Sequence, residues 1–351
     1  MVFNAKITSM RVDTPKVSPV IGMEQHVFLQ IENIYYPILA LIGIPGNLMA
    51  IVILSRGNCG LSKCITRYMV AMAVADLLVI IFDVVLYEIN DTYFPHSFLH
   101  YTPVCSLIIA LVFAAIDCSV WLTVAFTFDR YIAICCQKLS AKYCTERTAA
   151  IVIVTVVGLS FVQNIPIYFE NEHLIIIDNV PWFCKVKSSL YSLPIWVAYF
   201  FFDIALTPLS PFLLIVLLNA LTTRHILRAS RIRKGLRGDG NTENCNDPEI
   251  VNRRKSIILL LSISSSFILL WMVTFVHYIC TQFAGVEFML TDYNDPFTIM
   301  EHTGYMLQRL SSCTNTFIYA VAQAKFRESL TNIVKYPFTL LVRFVKLWTT
   351  A

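Results

Sequence analysis

Residues 107–135 read LIIALVFAAIDCSVWLTVAFTFDRYIAIC, and this stretch decides the fold. It is largely apolar and longer than the roughly 20 residues that a helix needs to cross a bilayer. Two charged residues, Asp129 and Arg130, stand near its end. Because ionisable groups at a membrane edge are costly, they usually mark a functional site or fix the topology. The stretch therefore predicts a membrane-spanning helix with an ion pair of functional or topological importance at one end.

The rest of the chain has the same character. Of its 351 residues, 57% are hydrophobic and 14% are charged, whereas an average soluble domain has about 25% charged residues. The apolar residues form blocks of about twenty, and each block must be helical because lipid cannot satisfy free backbone polar groups. The sequence thus predicts an all-α membrane protein with a seven-helix transmembrane domain at 33–322, surrounded by membrane lipid and without a nucleic-acid partner. The predicted spans are 33–55, 67–89, 104–128, 148–169, 191–222, 256–282 and 299–322.

The charged residues predict the orientation. Net charge is +4, and most of the basic residues lie in alternate loops, above all between spans five and six. By the positive-inside rule these loops are cytoplasmic. Residues 1–32 then form an extracellular tail and the carboxyl terminus is cytoplasmic, as in a multi-pass protein of the plasma membrane. The basic loop between spans five and six is expected to fix the orientation of the chain in the membrane. Binding of a cytoplasmic partner would be an additional role of this loop.

Residues 323–351 form the last predicted segment, on the cytoplasmic side. Between 323 and 335, apolar residues lie on one side of a helix and charged residues on the other, which predicts a short amphipathic eighth helix on the inner membrane surface. Residues 336–351 are expected to continue along that surface. The chain does not consist of two similar halves, and this argues against most transporter architectures.

Two features belong to the predicted outer side. Cys105 opens the third span and Cys184 lies in the loop before the fifth, so both thiols face an oxidising compartment, and a bridge between them would pin the loop across the bundle. The tripeptide that begins at Asn90 matches the glycosylation acceptor pattern. Such patterns also arise by chance, and this one lies close to the membrane.

Short motifs stand in a recognisable order on the spans. They are Gly46-Asn47, Ala73-Val74-Ala75-Asp76-Leu77, Cys105, Asp129-Arg130-Tyr131, Pro211, Trp271 and Asn315-Thr316-Phe317-Ile318-Tyr319. Together they resemble the rhodopsin-like (class A) G-protein-coupled receptors, over roughly 33–335. Two further segments, Val120-Trp121-Leu122-Thr123-Val124 and Leu217-Leu218-Asn219, are similar to an orphan subgroup associated with neuropeptides and aromatic amino acids.

The chain also departs from the family pattern. Val273 stands where the sixth span usually has proline, and Thr316 replaces the proline of the seventh. Proline removes a helix hydrogen bond and kinks the helix, so these changes put the amplitude of the helix movements in doubt. Arg253 stands near the start of span six, where some relatives have an acid, which leads to the hypothesis of raised basal activity.

The resemblance implies a two-state switch that opens the cytoplasmic face to a heterotrimeric G protein. Arg130 would swing from Asp129 toward the opened cavity. The expected residues of the switch are Asp129, Arg130, Tyr131, Asn219, Asn315 and Tyr319. The alternative for Asp129 and Arg130 is an interfacial ion pair that fixes only the depth of the helix.

Asp76 is an acid inside an apolar span. As in the family, it would hold a sodium ion in a polar network with Asn47, Ser119, Ser311 and Asn315. The alternative is a protonated aspartic acid in a hydrogen-bonded network, since burial raises the pKa of a carboxyl group. No other cofactor is expected.

The expected ligand pocket combines acids with aromatic and basic residues. Asp83 shares a helix face with Asp76, and Arg309 needs a partner within the bundle, for which Asp83 is the candidate. This pair either contacts the ligand or is a structural salt bridge. The other expected pocket residues are Val112, Asp203, Trp271, His277 and Tyr305. His277 either contacts the ligand or caps its helix.

Single residues argue against two receptor subclasses. Opsins need a lysine where Arg309 stands, and biogenic-amine receptors need an aspartate where Val112 stands. Acids around the pocket suggest a ligand with a positive group, such as a peptide or a free amino acid. The alternatives are a heptahelical channel or transporter, or a constitutively active or chemosensory receptor. Motifs of intramembrane enzymes do not occur, so an enzyme is not expected.

Overall fold

Seven long helices and a short eighth are present in the computed structural model, which describes residues 27–57, 59–236, 248–284, 295–333 and 335. Their bounds are α1 Val27–Ser55, α2 Lys63–Tyr93, α3 Thr102–Cys135, α4 Glu146–Glu170, α5 Pro194–Ile204 with Ser210–Leu236, α6 Pro248–Ala284, α7 Pro296–Ala322 and α8 324–333. A short helix, Gln137–Tyr143, connects α3 to α4. The predicted bundle of seven helices with an eighth is thereby confirmed.

Some predicted features lie outside the described residues. They are most of the amino-terminal tail (1–26), the polar linker at 237–247, the tail at 336–351 and the side chain of Arg253. The first helix, by contrast, begins at Val27 and not at residue 33. Its added turn brings Glu32 into contact with His302 of α7, where the Oε1–Nδ1 distance is 2.8 Å. This tertiary contact explains why the boundary could not be read from hydropathy.

Six of the helices in the described part of the chain are long and apolar enough to cross a membrane, namely α1 to α6. The seventh is less apolar because Glu301, His302 and Arg309 lie along it. Large apolar side chains such as Leu41, Val154 and Val321 are exposed on the outside of the bundle. An outer surface of this kind suits contact with lipid, whereas the polar residues of α7 face the other helices.

The bundle has two ends that differ in structure. At one end an antiparallel hairpin, β1 (Asn171–Ile177) and β2 (Val180–Val186), covers the helices. Asp178 and Asn179 form its two-residue turn with φ values of 51° and 63°, the left-handed conformation that tight hairpin turns require. We call this the hairpin end. The other end carries α8, whose Phe326 ring lies 5.9 Å from the ring of Tyr319 in α7, and we call it the α8 end.

The disulfide bond between Cys105 and Cys184 joins α3 to β2, with a Cα–Cα distance of 6.2 Å. The Thr102 hydroxyl donates to the Phe183 carbonyl oxygen at 2.9 Å beside it. The predicted bridge is thus present and holds the hairpin over the bundle. The hairpin itself was not predicted, because the sequence analysis assigned only a loop to this segment.

Close contact between α1, α2 and α7 depends on Gly43. A Cβ atom at this position would lie 2.6 Å from the Sγ of Cys313 and 3.2 Å from the Cγ1 of Ile80. We expect Gly43→Ala to lower stability by about 1–3 kcal/mol, since added atoms overpack a core. Thermal unfolding of the purified protein measures the loss. Adding Cys313→Ala removes the closest atom and is expected to restore most of the stability.

Gly158 provides the matched control for this prediction. It also lies in a helix, α4, but a Cβ atom there would meet no atom within 4 Å. Gly158→Ala should be neutral or slightly stabilising, since alanine is the better helix former. Equal effects of Gly43→Ala and Gly158→Ala would contradict the packing argument.

Candidate functional site

A cluster around Arg309 ties three helices together in the half of the bundle toward the hairpin end. Nε and Nη2 of Arg309 donate to the two carboxylate oxygens of Asp83 in α2, each at 2.8 Å. Nη2 also lies 2.8 Å from Oε1 of Glu88, and Nη1 donates to the Tyr36 hydroxyl of α1 at 2.8 Å. Bidentate pairs of this kind are among the strongest polar contacts in proteins. The Asp83 partner was expected, while Glu88 and Tyr36 were not.

The geometry of α2 explains why Glu88 was missed. Asp83 and Glu88 are five residues apart, which places them about 140° apart on an α-helix at 100° per residue. The segment Ile80–Ile89 is instead a π-helix, whose wider turns join residue i to residue i+5. The two carboxylates therefore reach the same guanidinium group. The sequence pattern of this segment does not predict the π-helix.

Further carboxylates lie close to this cluster on α1 and α7. Glu32 contacts His302, and Glu301 accepts a hydrogen bond from the Tyr305 hydroxyl at 3.1 Å. Nε2 of His277 in α6 lies 4.0 Å from the same Glu301 carboxylate, and the Tyr305 ring centroid is 5.7 Å from the Arg309 guanidinium carbon. The structure thus brings the expected residues His277 and Tyr305 together through Glu301, an acid that the sequence did not indicate, and Tyr305 in turn contacts Arg309.

The remaining expected pocket residues lie elsewhere in the bundle. Trp271 stacks on Phe267 at a centroid distance of 5.1 Å and belongs to an apolar cluster with Val120 and Phe212. Val112 is buried in α3. Asp203 is buried in α5. The structure therefore divides the expected pocket between the Arg309 cluster and the region where α3, α5 and α6 meet.

Asn90, the predicted glycan acceptor, is buried in the structure. Its side chain is 7% exposed, and Nδ2, the atom that would carry the sugar, lies 3.2 Å from Nε2 of His100. A glycan is bulky and requires a surface position. The three-residue pattern contains no information about burial, so the glycan at Asn90 stays a prediction.

Asp76 lies at the centre of the bundle, 1% exposed. It accepts hydrogen bonds from the Ser119 hydroxyl at 2.5 Å and from Nδ2 of Asn315 at 2.7 Å. Asn47 instead contacts α7, where its Nδ2 donates to the Ser312 carbonyl oxygen at 2.9 Å and its Oδ1 accepts from the Thr316 hydroxyl at 3.5 Å. The expected network is thus split into two neighbouring groups that both anchor α7.

The ion pair of Asp129 and Arg130 lies toward the α8 end of α3. Nε of Arg130 donates to Oδ2 of Asp129 at 3.0 Å, and its Nη2 contacts the same oxygen. Two thiols hold Asp129 from the other side. Sγ of Cys64 in α2 donates to Oδ1 at 3.3 Å, and Sγ of Cys144 donates to the backbone carbonyl at 3.5 Å. Burial and the negative charge of Asp129 raise the pKa of the Cys144 thiol, so it remains a donor.

The structure places the other expected switch residues at several points of the bundle. Asn219 lines a cavity of about 770 Å³ between α5 and α6, together with Arg224, Arg228 and Leu261. Tyr319 is fully buried beside α8, and Tyr131 is half-buried. In this arrangement the ion pair between Arg130 and Asp129 is closed.

Residues 46–319 match the family described as 7 transmembrane receptor (rhodopsin family). The chain belongs to this family. It is a multi-pass membrane receptor that couples ligand binding to a G protein, and its class is non-enzymatic. The resemblance stated from the motifs is thereby confirmed.

Several known receptors are similar to the chain, at low sequence identity over more than half of its length. The FMRFamide receptor of Drosophila melanogaster is 27% identical over 57% of this chain and 38% of its own length. The sex peptide receptor of the same species is 24% identical over 85% of this chain and 71% of its own length. Galanin receptor type 2 of Rattus norvegicus is 24% identical over 86% of this chain and 74% of its own length.

Cys64 donates a hydrogen bond to Asp129, the acid of the ion pair with Arg130. Removing this thiol should change the basal activity of the receptor. We expect Cys64→Ala to raise basal G-protein activation roughly twofold to fivefold, because a lost hydrogen bond of about 1 kcal/mol frees Asp129 and loosens Arg130. Cys64→Ser keeps a donor and should resemble the parent. Nucleotide exchange on a G protein in membranes with equal receptor content measures the effect.

Cys59→Ala is the matched control for this prediction. Cys59 is another buried thiol near the α8 end, but its side chain has no hydrogen bond to Asp129 among the described contacts. Basal activity should remain at the parental level in this variant. Equal activity of Cys64→Ala and Cys64→Ser would argue against a positioning role.

Proposed function

We propose that this receptor binds an extracellular peptide or amino-acid-like ligand with a positively charged group and activates a heterotrimeric G protein through Arg130. The supporting observation is the excess of carboxylates around Arg309. Four acids belong to this region: Glu32, Asp83, Glu88 and Glu301. Among the described residues one arginine, Arg309, contacts two of these carboxylates, and His277 and His302 add positive charge only when protonated. A negative excess in a partly desolvated site favours a cationic ligand group.

The named relatives support the peptide class. Three of them are receptors named for FMRFamide, sex peptide and galanin. The likeness to a subgroup associated with aromatic amino acids supports an amino-acid-like ligand as the smaller alternative. Both classes offer an ammonium or guanidinium group to the carboxylates around Arg309.

The orientation is part of the proposal. The basic loops place the α8 end in the cytoplasm by the positive-inside rule. The hairpin end, with its disulfide bond, then faces the extracellular side of the plasma membrane, and disulfide bonds persist in such oxidising surroundings. Ligand and G protein would therefore reach the receptor from opposite sides.

A sodium ion at Asp76 is proposed as a resident partner of the receptor. The Asp76 carboxylate and the Ser119 hydroxyl meet at one point, and such oxygen atoms suit a hard cation. Asp76, Ser119 and Ser311 would hold the ion, while Asn315 supports Asp76 by a hydrogen bond. Bound there, sodium would neutralise the buried carboxylate.

A paired-ligand screen tests the proposed function. Cells that express the receptor would receive peptides in pairs, each with a basic residue or its neutral isostere (arginine against citrulline, a free amine against an acetylated one). We expect activating ligands to lose about tenfold or more in potency on neutralisation, since removing one partner of a buried charge pair costs about 2–5 kcal/mol and about 1.4 kcal/mol corresponds to tenfold. If neutral and basic forms are equally potent, the cationic ligand class is wrong.

A further inference from the structure

A second polar site lies between α3, α4 and α5, and nothing in the switch or the Arg309 cluster uses it. Asp117 of α3 is buried and accepts a hydrogen bond from Nδ2 of Asn164 in α4 at 2.6 Å. Asp117 takes part in none of the ion pairs formed by the described residues. A carboxylate at this depth in a membrane protein needs a compensating charge or a proton.

Asn164 contributes an acceptor that lacks a donor. Its side chain is 2% exposed, and Nδ2 also donates to the Ser160 carbonyl oxygen at 2.7 Å. Because both neighbours of Nδ2 are acceptors, the orientation of the amide is fixed and Oδ1 cannot exchange places with it. Oδ1 is buried without a hydrogen-bond partner among the described residues. Since both ends of the amide share one carbon, this oxygen lies within a few ångström of the Asp117 carboxylate.

The α5 helix adds two more oxygen-bearing side chains. The Thr207 hydroxyl is buried close to Asp117 but has no hydrogen-bond partner among the described residues, and the carboxylate of Asp203 lies near enough to act on Asp117 as a like charge. Thr207 has non-helical backbone angles, φ −146° and ψ 115°, within the wide turn Ala205–Leu209. Asp203 lies four residues earlier, at the end of the regular part of α5, and is buried. Irregular backbone at membrane depth occurs where it is buried in protein or lines a polar cavity.

This site is separate from the one at Asp76. Asp117 and Ser119, which contacts Asp76, are two residues apart on α3 and so point about 200° apart around the helix. On α3, Asp117 therefore faces α4 and α5, whereas Ser119 faces Asp76 of α2, which also contacts Asn315 of α7.

We propose that Asp117, Asn164, Asp203 and Thr207 form a second binding site for a compact monovalent cation, either an inorganic ion or a small protonated amine. The site contains one carboxylate from α3 (Asp117) and one from α5 (Asp203). It also contains the Asn164 amide oxygen, which has no donor among the described residues, and the Thr207 hydroxyl group. Two nearby carboxylates in a low-dielectric interior repel each other when both are ionised. A compact cation offsets this repulsion and satisfies the Asn164 oxygen.

The test uses the purified full chain and measures its thermal unfolding midpoint. Chloride salts of sodium, potassium and methylammonium are compared with N-methyl-D-glucamine chloride at equal ionic strength. The parent, Asp76→Asn, Asp117→Asn and the double variant are measured. A bound cation stabilises the folded state in a saturable manner. We expect a saturable rise in the midpoint to persist in Asp76→Asn and to disappear in the double variant.

The identity of the most effective salt distinguishes the two sources of the cation. Greater stabilisation by sodium or potassium assigns an inorganic ion, and greater stabilisation by methylammonium assigns an amine. Asp117→Asn can still accept the Asn164 hydrogen bond, so it should fold. A response that persists in the double variant, or one that is already absent in Asp76→Asn, overturns the proposal. So does stabilisation by acid alone, which would indicate that the carboxylates share a proton. Because the readout contains no signalling, this result is independent of the proposed ligand.

Discussion

Arg309→Met is expected to destabilise the folded receptor by about 3–5 kcal/mol, because it leaves buried carboxylates without their partner. Asp83 and Glu88 both contact the guanidinium group, and the Tyr36 hydroxyl would lose its donor as well. The variant should show a lower unfolding midpoint in detergent and reduced amounts at the cell surface. Arg309→Lys should be intermediate, since an ammonium group keeps the charge but cannot form the bidentate pair.

A compensated variant controls for the loss of side-chain volume. In Arg309→Met with Asp83→Asn and Glu88→Gln, the excess negative charge is removed together with the arginine. Replacing a buried ion pair as a unit is often nearly neutral, so we expect this triple variant to recover much of the stability. Parental stability of Arg309→Met alone would mean that the cluster does not hold α1, α2 and α7 together.

Arg130→Ala is expected to abolish ligand-dependent and basal G-protein activation while surface expression remains near the parental level. In the family mechanism, the arginine at this position leaves its neighbouring aspartate, here Asp129, and turns toward the α8 end when that end opens. In the closed arrangement the Nε of Arg130 contacts Asp129 at 3.0 Å. Activation of several G-protein pathways, normalised to the number of surface receptors, measures the effect.

Asp129→Asn tests the same ion pair by changing its acid. It retains the size of the side chain but removes the negative charge, so Arg130 is held less firmly and basal activation should rise. The two substitutions thus act on one ion pair in opposite directions. If Arg130→Ala signals as well as the parent, the pair merely fixes the depth of α3 in the membrane, and the assigned switch is wrong.

The bundle could be predicted because membrane insertion depends on local composition. Blocks of about twenty apolar residues specify helices wherever lipid is the solvent, and α2 to α6 all overlap their predicted spans. The pairing of Arg309 with Asp83 was also accessible, since a lone arginine inside a bundle requires an acid. The disulfide bond followed from the compartment of Cys105 and Cys184.

Other features depend on contacts between distant parts of the chain. Glu88 joins Arg309 because α2 widens into a π-helix, and Glu32 is buried because α1 extends to meet His302. Asn90 is enclosed by His100, although its sequence pattern predicted an exposed acceptor. In each case local sequence gave the residue type, while packing decided whether the side chain reached a partner or the solvent.

The sequence by itself determined that seven helices cross the membrane and that Asp129 and Arg130 close the third, because hydrophobic length and charge act locally. Only the tertiary structure decided which carboxylates surround Arg309, which thiols hold Asp129 and which oxygens meet at Asp117. Those arrangements depend on the rotation of each helix about its axis and on the wide turns in α2 and α5. Rotation and turn geometry are set by the packing of side chains between helices, which the linear pattern does not contain.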